Sequence, residues 1–209
     1  MFAELATRRE DGLDLGVLVY RFERALLGVS SAVVGGGIGE RHWAMNAQVR
    51  ADYARDDVTT HVDELARTFA LEEDGVGLLT AAKVQRRERA SVEGVDAEVT
   101  TGLSHPTWAA DPDVHSAAHV GTINMVIFVP TRLSDGALIN AIATATEAKS
   151  QALLEAGFSA TGTPSDAVAL FCPLDGDIEL FGGPRSLWGA RIAVAAYRAV
   201  LAGARAWTP

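Results

Sequence analysis

The chain has 209 residues, 48% of them hydrophobic and 22% charged, with a formal charge of −9. That composition is globular, and the length fits one domain spanning 1–209. It argues against a surface built for nucleic acid or an anionic membrane, which needs clustered Lys and Arg.

The opening MFAELATRRED carries too many charges for a secretory signal. No apolar run approaches the ~18 residues of a membrane span. LDLGVLVYRF (13–22) and LLGVSSAVV (26–34) predict two strands joined by a turn. GGGIGE (35–40) predicts a flexible loop. Glu40 stands where the last Gly of a dinucleotide loop belongs, and the Lys-Ser/Thr of a phosphate loop is missing, so no nucleotide triphosphate is expected to be consumed. AMNAQV (44–49) predicts another strand. Asp56 or Asp57 caps a helix over 58–70, where Val58, Val62, Leu65 and Phe69 form one apolar stripe.

GVGLLTAA (75–82), VQRRERASV (84–92) and DAEVTTGL (96–103) predict strands, the middle one polar and solvent-facing. SHPTWAADPDVHSAAH (104–119) has no steady period and reads as a loop. TINMVIFV (122–129) predicts a buried strand. Ser134 or Asp135 caps a long helix that ends near Gly157. DAVALFC (166–172) predicts a strand whose apolar run makes Cys172 a core residue. As the single cysteine it forms no intramolecular disulfide and suits a reducing, cytoplasmic setting. Pro184 opens a last helix over 185–206, with Arg191, Arg198 and Arg205 on a solvated face. Strands come in runs with few strand–helix alternations. The class is therefore α+β, with largely antiparallel sheet packed by helices.

One residue breaks the pattern. Only two lysines occur in the chain. One of them, Lys149, falls among Leu138, Ile142, Ala145, Ala152 and Leu153 on the apolar face of the long helix. Asn140, Thr144, Glu147 and Gln151 take the opposite face. An ammonium in mid-helix cannot easily snorkel to an end, and burying it is costly unless it is paired. Asp166 is the candidate partner. Two small-residue segments with hydroxyls, HVGTIN (119–124) and SATGTPSD (159–166), enter the strands on either side of this helix, and their glycines allow close backbone approach.

The ordered segments SSAVVGGGIGE, NAQV, GLLTAA, TTGLSHP, GTINMVIF, TATEAKSQAL and ATGTPSDAV, from about Ser30 to Ala204, resemble the adenosylcobinamide amidohydrolase family. The resemblance implies hydrolysis of the amide that links aminopropanol to the corrinoid. The products would be adenosylcobyric acid and aminopropanol, in corrinoid salvage. It implies a corrinoid substrate, no nucleic-acid or membrane partner, and no cofactor beyond the cobalt carried in the substrate. A homo-oligomer stays open, as does the alternative of a corrinoid-binding or carrier relative without turnover. Pro164-Ser165 and Val34-Gly35 depart from the family's usual residues. A fainter similarity to self-processing hydrolases of the ornithine acetyltransferase and β-aminopeptidase type adds a layered αββα sandwich as a form of the fold.

Amide hydrolysis needs a nucleophile, a base, oxyanion donors and an acid for the leaving amine. Thr122 is the candidate hydroxyl, as nucleophile or water holder. Lys149 is the candidate base or oxyanion stabiliser, and Asp166 its orienting partner. Thr161, Gly162 and Thr163 are candidate oxyanion donors, and Asn46 and Asn124 candidate amide binders. His42, beside Trp43, is a candidate contact to the corrinoid. Trp43, Tyr53 and Trp108 read as core or rim. His115 and His119 have the spacing of a metal pair but lack a third ligand, so no metal site is expected. The chain is expected to remain uncleaved before Thr122.

Overall fold

A computed structural model describes residues 1–111 and 121–208. The chain opens with a hairpin that the sequence reading passed over: β1 (Glu4–Glu10) pairs antiparallel with the start of β2 (Leu13–Ser30). Asp11 and Gly12 turn it, with φ of +49° and +78°. Positive φ at both positions of a two-residue loop matches the right-handed twist of the strands it joins.

The two strands expected over 13–34 are one strand. β2 runs on through a register shift between Arg21 and Leu26. Its first half lies between β1 and β3, its second half between β3 and β9. An irregularity of this kind sharpens local twist and bends the strand, so β2 passes from one sheet layer to the next. β3 (Gly37–Gln48) begins inside the glycine-rich segment, where a loop was expected, and continues through the predicted strand. Gly35 lies so close to the Gly75 carbonyl that a Cβ would sit 2.0 Å from its oxygen. That glycine serves strand packing.

α1 (Val58–Thr68) buries Val62 and Leu65 as expected, and His61 and Ala66 with them. Asp57 stands at its N-cap, but its carboxylate grips Arg55 and makes no cap bond. The segment expected as one strand over 84–92 splits into a 3₁₀ turn at Val84–Arg86 and a shorter strand. The remaining elements are β4 (Gly75–Thr80), β5 (Glu88–Val92), β6 (Val95–Gly102), β7 (Thr122–Phe128), β8 (Arg132–Leu133), α2 (Asp135–Glu155), β9 (Ala167–Pro173), β10 (Ile178–Glu179) and α3 (Leu187–Ala206). The Ser134 hydroxyl caps α2 by accepting from the Ala137 amide, and Gly157 follows its end at φ +91°. Ser186, two residues beyond the expected Pro184, caps α3.

The main sheet runs β4-β3-β2-β9-β7-β6-β5, with β1 on β2, and does not close into a barrel. It is largely antiparallel; β3–β4 and β7–β9 are its parallel pairs. Alternation along the strands creates three apolar layers. Val17, Val19, Trp43 and Met45 pack against Val62 and Leu65 of α1. The opposite faces bring Leu18, Tyr20, Ala44 and Leu78 onto Val126, Phe128, Ala169 and Phe171. The outer faces of β6, β7 and β9 lie under α2 and α3, around Val99, Met125, Leu170 and Ile192. Helix, folded sheet and helix pair thus stack as an α+β sandwich, with helices on both outer faces. Among the described residues no helix is long and apolar enough to cross a membrane.

Candidate active site

α2 packs on both the sheet and α3, so its buried band is wider than one stripe. It takes in Ala137, Leu138, Ala141, Ala145, Ala148, Ala152 and Leu153. Thr144, expected on the outer face, is buried too and donates its hydroxyl to the Gly182 carbonyl at 2.9 Å. Asn140, Glu147 and Gln151 are exposed as expected. Lys149 is only 6% exposed, and its Nζ forms an ion pair with Asp166. Gly162 lies against this pair: a Cβ there would be 2.4 Å from Asp166 Oδ2 and 2.5 Å from Lys149 Nζ. A side chain at that position would part the two charges.

Asp166 collects donors from three directions. The Ile123 amide reaches Oδ1 at 2.8 Å, the Thr163 amide reaches Oδ2 at 3.0 Å, and the Thr163 hydroxyl also donates. With Lys149, the carboxylate is met by four donors, as an anion largely withdrawn from water requires. The pair therefore locks the start of β7 to the 161–166 turn. The peptide it holds, at Ile123, is the one that follows Thr122.

Thr122 opens β7. Ser165 donates to the Gly121 carbonyl at 2.9 Å, which uses its one hydroxyl hydrogen. Thr122 therefore donates to Ser165 Oγ, 2.6 Å away. The sequence reading missed Ser165; only its place in the same hydroxyl-rich turn pointed to it. Deeper between the layers of the folded sheet, Asn124 donates to Asn46 Oδ1 at 2.9 Å and to the Leu79 carbonyl, and Asn46 donates to Thr100 at 2.9 Å.

Two hollows meet at Thr122. The larger, about 1000 Å³, is lined among others by Lys83, Arg86, Thr101, Ser104 and Trp207. The smaller, about 430 Å³, is lined by Tyr53, Asn124, Ser165 and Asp166, with Val33, Val58 and residues 77–80 of β4. Thr122 lines both. Lys149 lines neither and reaches the site through Asp166. Asn46 also lies behind the wall, where it orients Asn124.

The 161–163 turn differs from expectation. The Thr161 and Gly162 amides bond the Thr107 carbonyl, and the Thr163 amide bonds Asp166. The Thr161 hydroxyl accepts from the Ala109 amide at 2.8 Å. These groups build the site and are not free to meet an oxyanion. His42 lines neither hollow. It lies four residues before Asn46 on β3, about 13 Å along the strand at ~3.3 Å per residue. Trp43 is core, its indole nitrogen bonded to the Glu73 carbonyl. Cys172 is buried, and burial raises its thiol above the usual range. His115 and His119 lie outside the described residues. Among the described residues, no three His, Cys, Asp or Glu side chains converge to hold a metal.

Fold and geometry together define a layered α+β protein with one hydroxyl-and-ion-pair centre, set where a wide hollow meets a narrow one. A sequence profile described as adenosylcobinamide amidohydrolase matches residues 3–209, and the chain belongs to that family. It is 34% identical over 138 residues to a Methanosarcina mazei protein named adenosylcobinamide amidohydrolase, covering 66% of each chain. It is 35% identical over 164 residues to a Halobacterium salinarum protein of the same name, covering 74% of this chain and 70% of that one. The fold is also similar to the crystal structure of the PH0078 protein from Pyrococcus horikoshii OT3, with a TM-score of 0.55 at 11% identity over 97% of this chain and 83% of the other. At that identity the likeness speaks for the fold alone.

Proposed function

We propose that this chain hydrolyses the amide between aminopropanol and the corrinoid of adenosylcobinamide, releasing adenosylcobyric acid and aminopropanol for corrinoid salvage. Water adds across the C–N bond: hydroxyl goes to the acyl carbon and a proton to the departing nitrogen. The observation that carries this reading is Thr122 at the junction of the two hollows. A corrinoid has a bulky ring and a slender arm, and the bond to be cut lies on the arm. The larger hollow is of a size to take the ring, with Trp207 as an apolar wall. The smaller one takes the arm.

In this reading Thr122 is the reacting hydroxyl or the group that holds the attacking water. Ser165 orients it. Asp166 and Lys149 fix its backbone and set the local field. Asn124 meets the arm's amide. The full occupancy of Asp166 and the pairing of Lys149 favour one second reading, a corrinoid binder without turnover, because neither group is free as a base in this state. Catalytic contacts often tighten only with substrate bound, and the family's name favours the enzyme. One assay decides: incubation of purified protein with adenosylcobinamide, followed by mass analysis for cobyric acid and free aminopropanol. Binding without products would establish the second reading. The chain works uncleaved, in this proposal, and needs no added metal. Intact-mass spectrometry should show one species near 22.0 kDa; fragments parted between Gly121 and Thr122 would instead make Thr122 an N-terminal nucleophile.

A further inference from the structure

A second polar chain ends at the smaller hollow. Arg8, buried on β1, donates from Nε to Glu10 Oε2 at 2.8 Å and from Nη2 to the Gln48 carbonyl. Glu10 Oε1 lies 3.3 Å from Nε2 of His61. His61, only 2% exposed on α1, places Nδ1 2.9 Å from the Tyr53 hydroxyl. The Tyr53 and His61 rings stack, 5.4 Å between centroids and 24° between planes. Tyr53 lines the smaller hollow together with Thr122, Asn124 and Ser165. The Arg8–Glu10 and Tyr53–His61 pairs are about fifty positions apart in sequence and share no motif.

The direction of each hydrogen follows from chemistry. Burial works to raise the Glu10 carboxyl, but its contacts with Arg8 and His61 outweigh this and hold it below the usual range. It is therefore an anion near neutrality, and its place is to accept. An imidazole that gives its one hydrogen to Glu10 through Nε2 leaves Nδ1 bare as an acceptor. Nδ1 takes the Tyr53 hydrogen. Burial raises the Tyr53 phenol, so it keeps that hydrogen across neutral pH. Of the other charges near it, Arg55 binds both Asp57 and Glu64. The Tyr53 oxygen keeps its lone pairs as an acceptor, on a residue that lines the hollow.

We infer that Tyr53 reads the hydroxyl of the amino alcohol arm, accepting its hydrogen, while His61 and Glu10 are positioning residues that keep Tyr53 an acceptor. This rests on the proposed placement of the arm in the smaller hollow, and goes beyond it by naming what selects that arm. An acceptor fixed in a confined site discriminates strongly against an analogue with nothing to offer it. A merely structural chain, satisfying a buried histidine, would show no such preference.

The test titrates the full chain by NMR with two probes, 1-amino-2-propanol and propylamine, which differ by one hydroxyl. The wild type should bind the amino alcohol about tenfold more tightly, as one well-formed hydrogen bond allows. Tyr53→Phe, which keeps the ring stack, should erase that preference. Glu10→Gln, which still accepts from His61, should retain most of it. Equal affinities in the wild type, no binding of either probe, or a preference that survives Tyr53→Phe would each overturn the assignment. The wild-type comparison needs no variant to fold. Turnover separates the two ideas: hydroxyl preference without hydrolysis sinks the enzyme reading alone. Hydrolysis that treats the arm and its deoxy analogue alike sinks the Tyr53 assignment alone.

Discussion

Two carboxylates of low exposure, Glu98 and Asp166, are used in opposite ways. Glu98 on β6 is 2% exposed. It accepts from Arg87 at 2.7 Å, Arg89 at 2.9 Å and the Ala3 amide at 2.8 Å. Large apolar groups, Tyr20 and Phe128 among them, fill the layer beside it. Asp166 has an equally complete set of donors, from the start of β7, the Thr163 turn and Lys149 of α2, but the residue also lines a hollow. Burial and pairing of charge are therefore common to both, and neither makes a site by itself. What distinguishes Asp166 is unfilled volume and a ring of hydroxyls beside it.

Several substitutions can break or sharpen that contrast. The largest effect is expected at Lys149→Ala. Removing one partner of a buried pair costs roughly 3–5 kcal/mol, so melting must be measured first. In protein that remains folded, kcat should fall by about 10²–10⁴-fold, on the scale of a lost acid–base or charge-stabilising group, while corrinoid affinity changes far less. Equal losses in both would make Lys149 a fold residue. Gly162→Ala should reproduce the kinetic defect while leaving both charges in the sequence, because the new methyl parts them.

Glu98→Ala strands two arginines and should cost a similar ~3–5 kcal/mol, read by urea unfolding, yet leave kcat of the folded fraction unchanged. A kinetic loss there would erase the contrast. Ser165→Ala sits between the extremes. It removes the bridge from Thr122 to the Gly121 carbonyl and should lower kcat about tenfold, with a stability loss of about 1 kcal/mol.

A pH experiment probes the filled region alone. Burial first, and the Glu98 carboxylate second, raise the Tyr20 phenol well above its ordinary value. A raised folded value favours the protonated form in the fold. Its contribution is fully present below the unfolded phenol's pKa of about 10 and is lost as pH rises beyond it. Stability by denaturant melting should therefore decline above pH ~10 in the wild type, and less steeply in Tyr20→Phe. The smallest effect is expected at the surface. Arg191 stacks on Trp188 and pairs with the exposed Glu93, and Arg191→Ala should move stability by no more than about 0.5–1 kcal/mol.

Local patterns carried much of this molecule. The period of α2 put Lys149 among apolar residues before any fold was known, and the Ser134 cap and Gly157 exit bounded the helix correctly. Asp166 was reachable as its partner because only one turn separates helix from strand. The Asp11-Gly12 hairpin was equally legible and was overlooked. Other features had no local signal. One continuous β2 in place of two strands follows from its having different neighbours along its length. The amides of Thr161 and Gly162 are taken by Thr107, more than fifty positions away. Glu10, His61 and Tyr53 meet only because α1 folds back over β1. Periodicity and capping depend on residues within a turn or two, so sequence alone determines them. A hollow is the volume that distant elements fail to fill, and which carboxylate borders it is decided only when the two layers of the folded sheet close on each other.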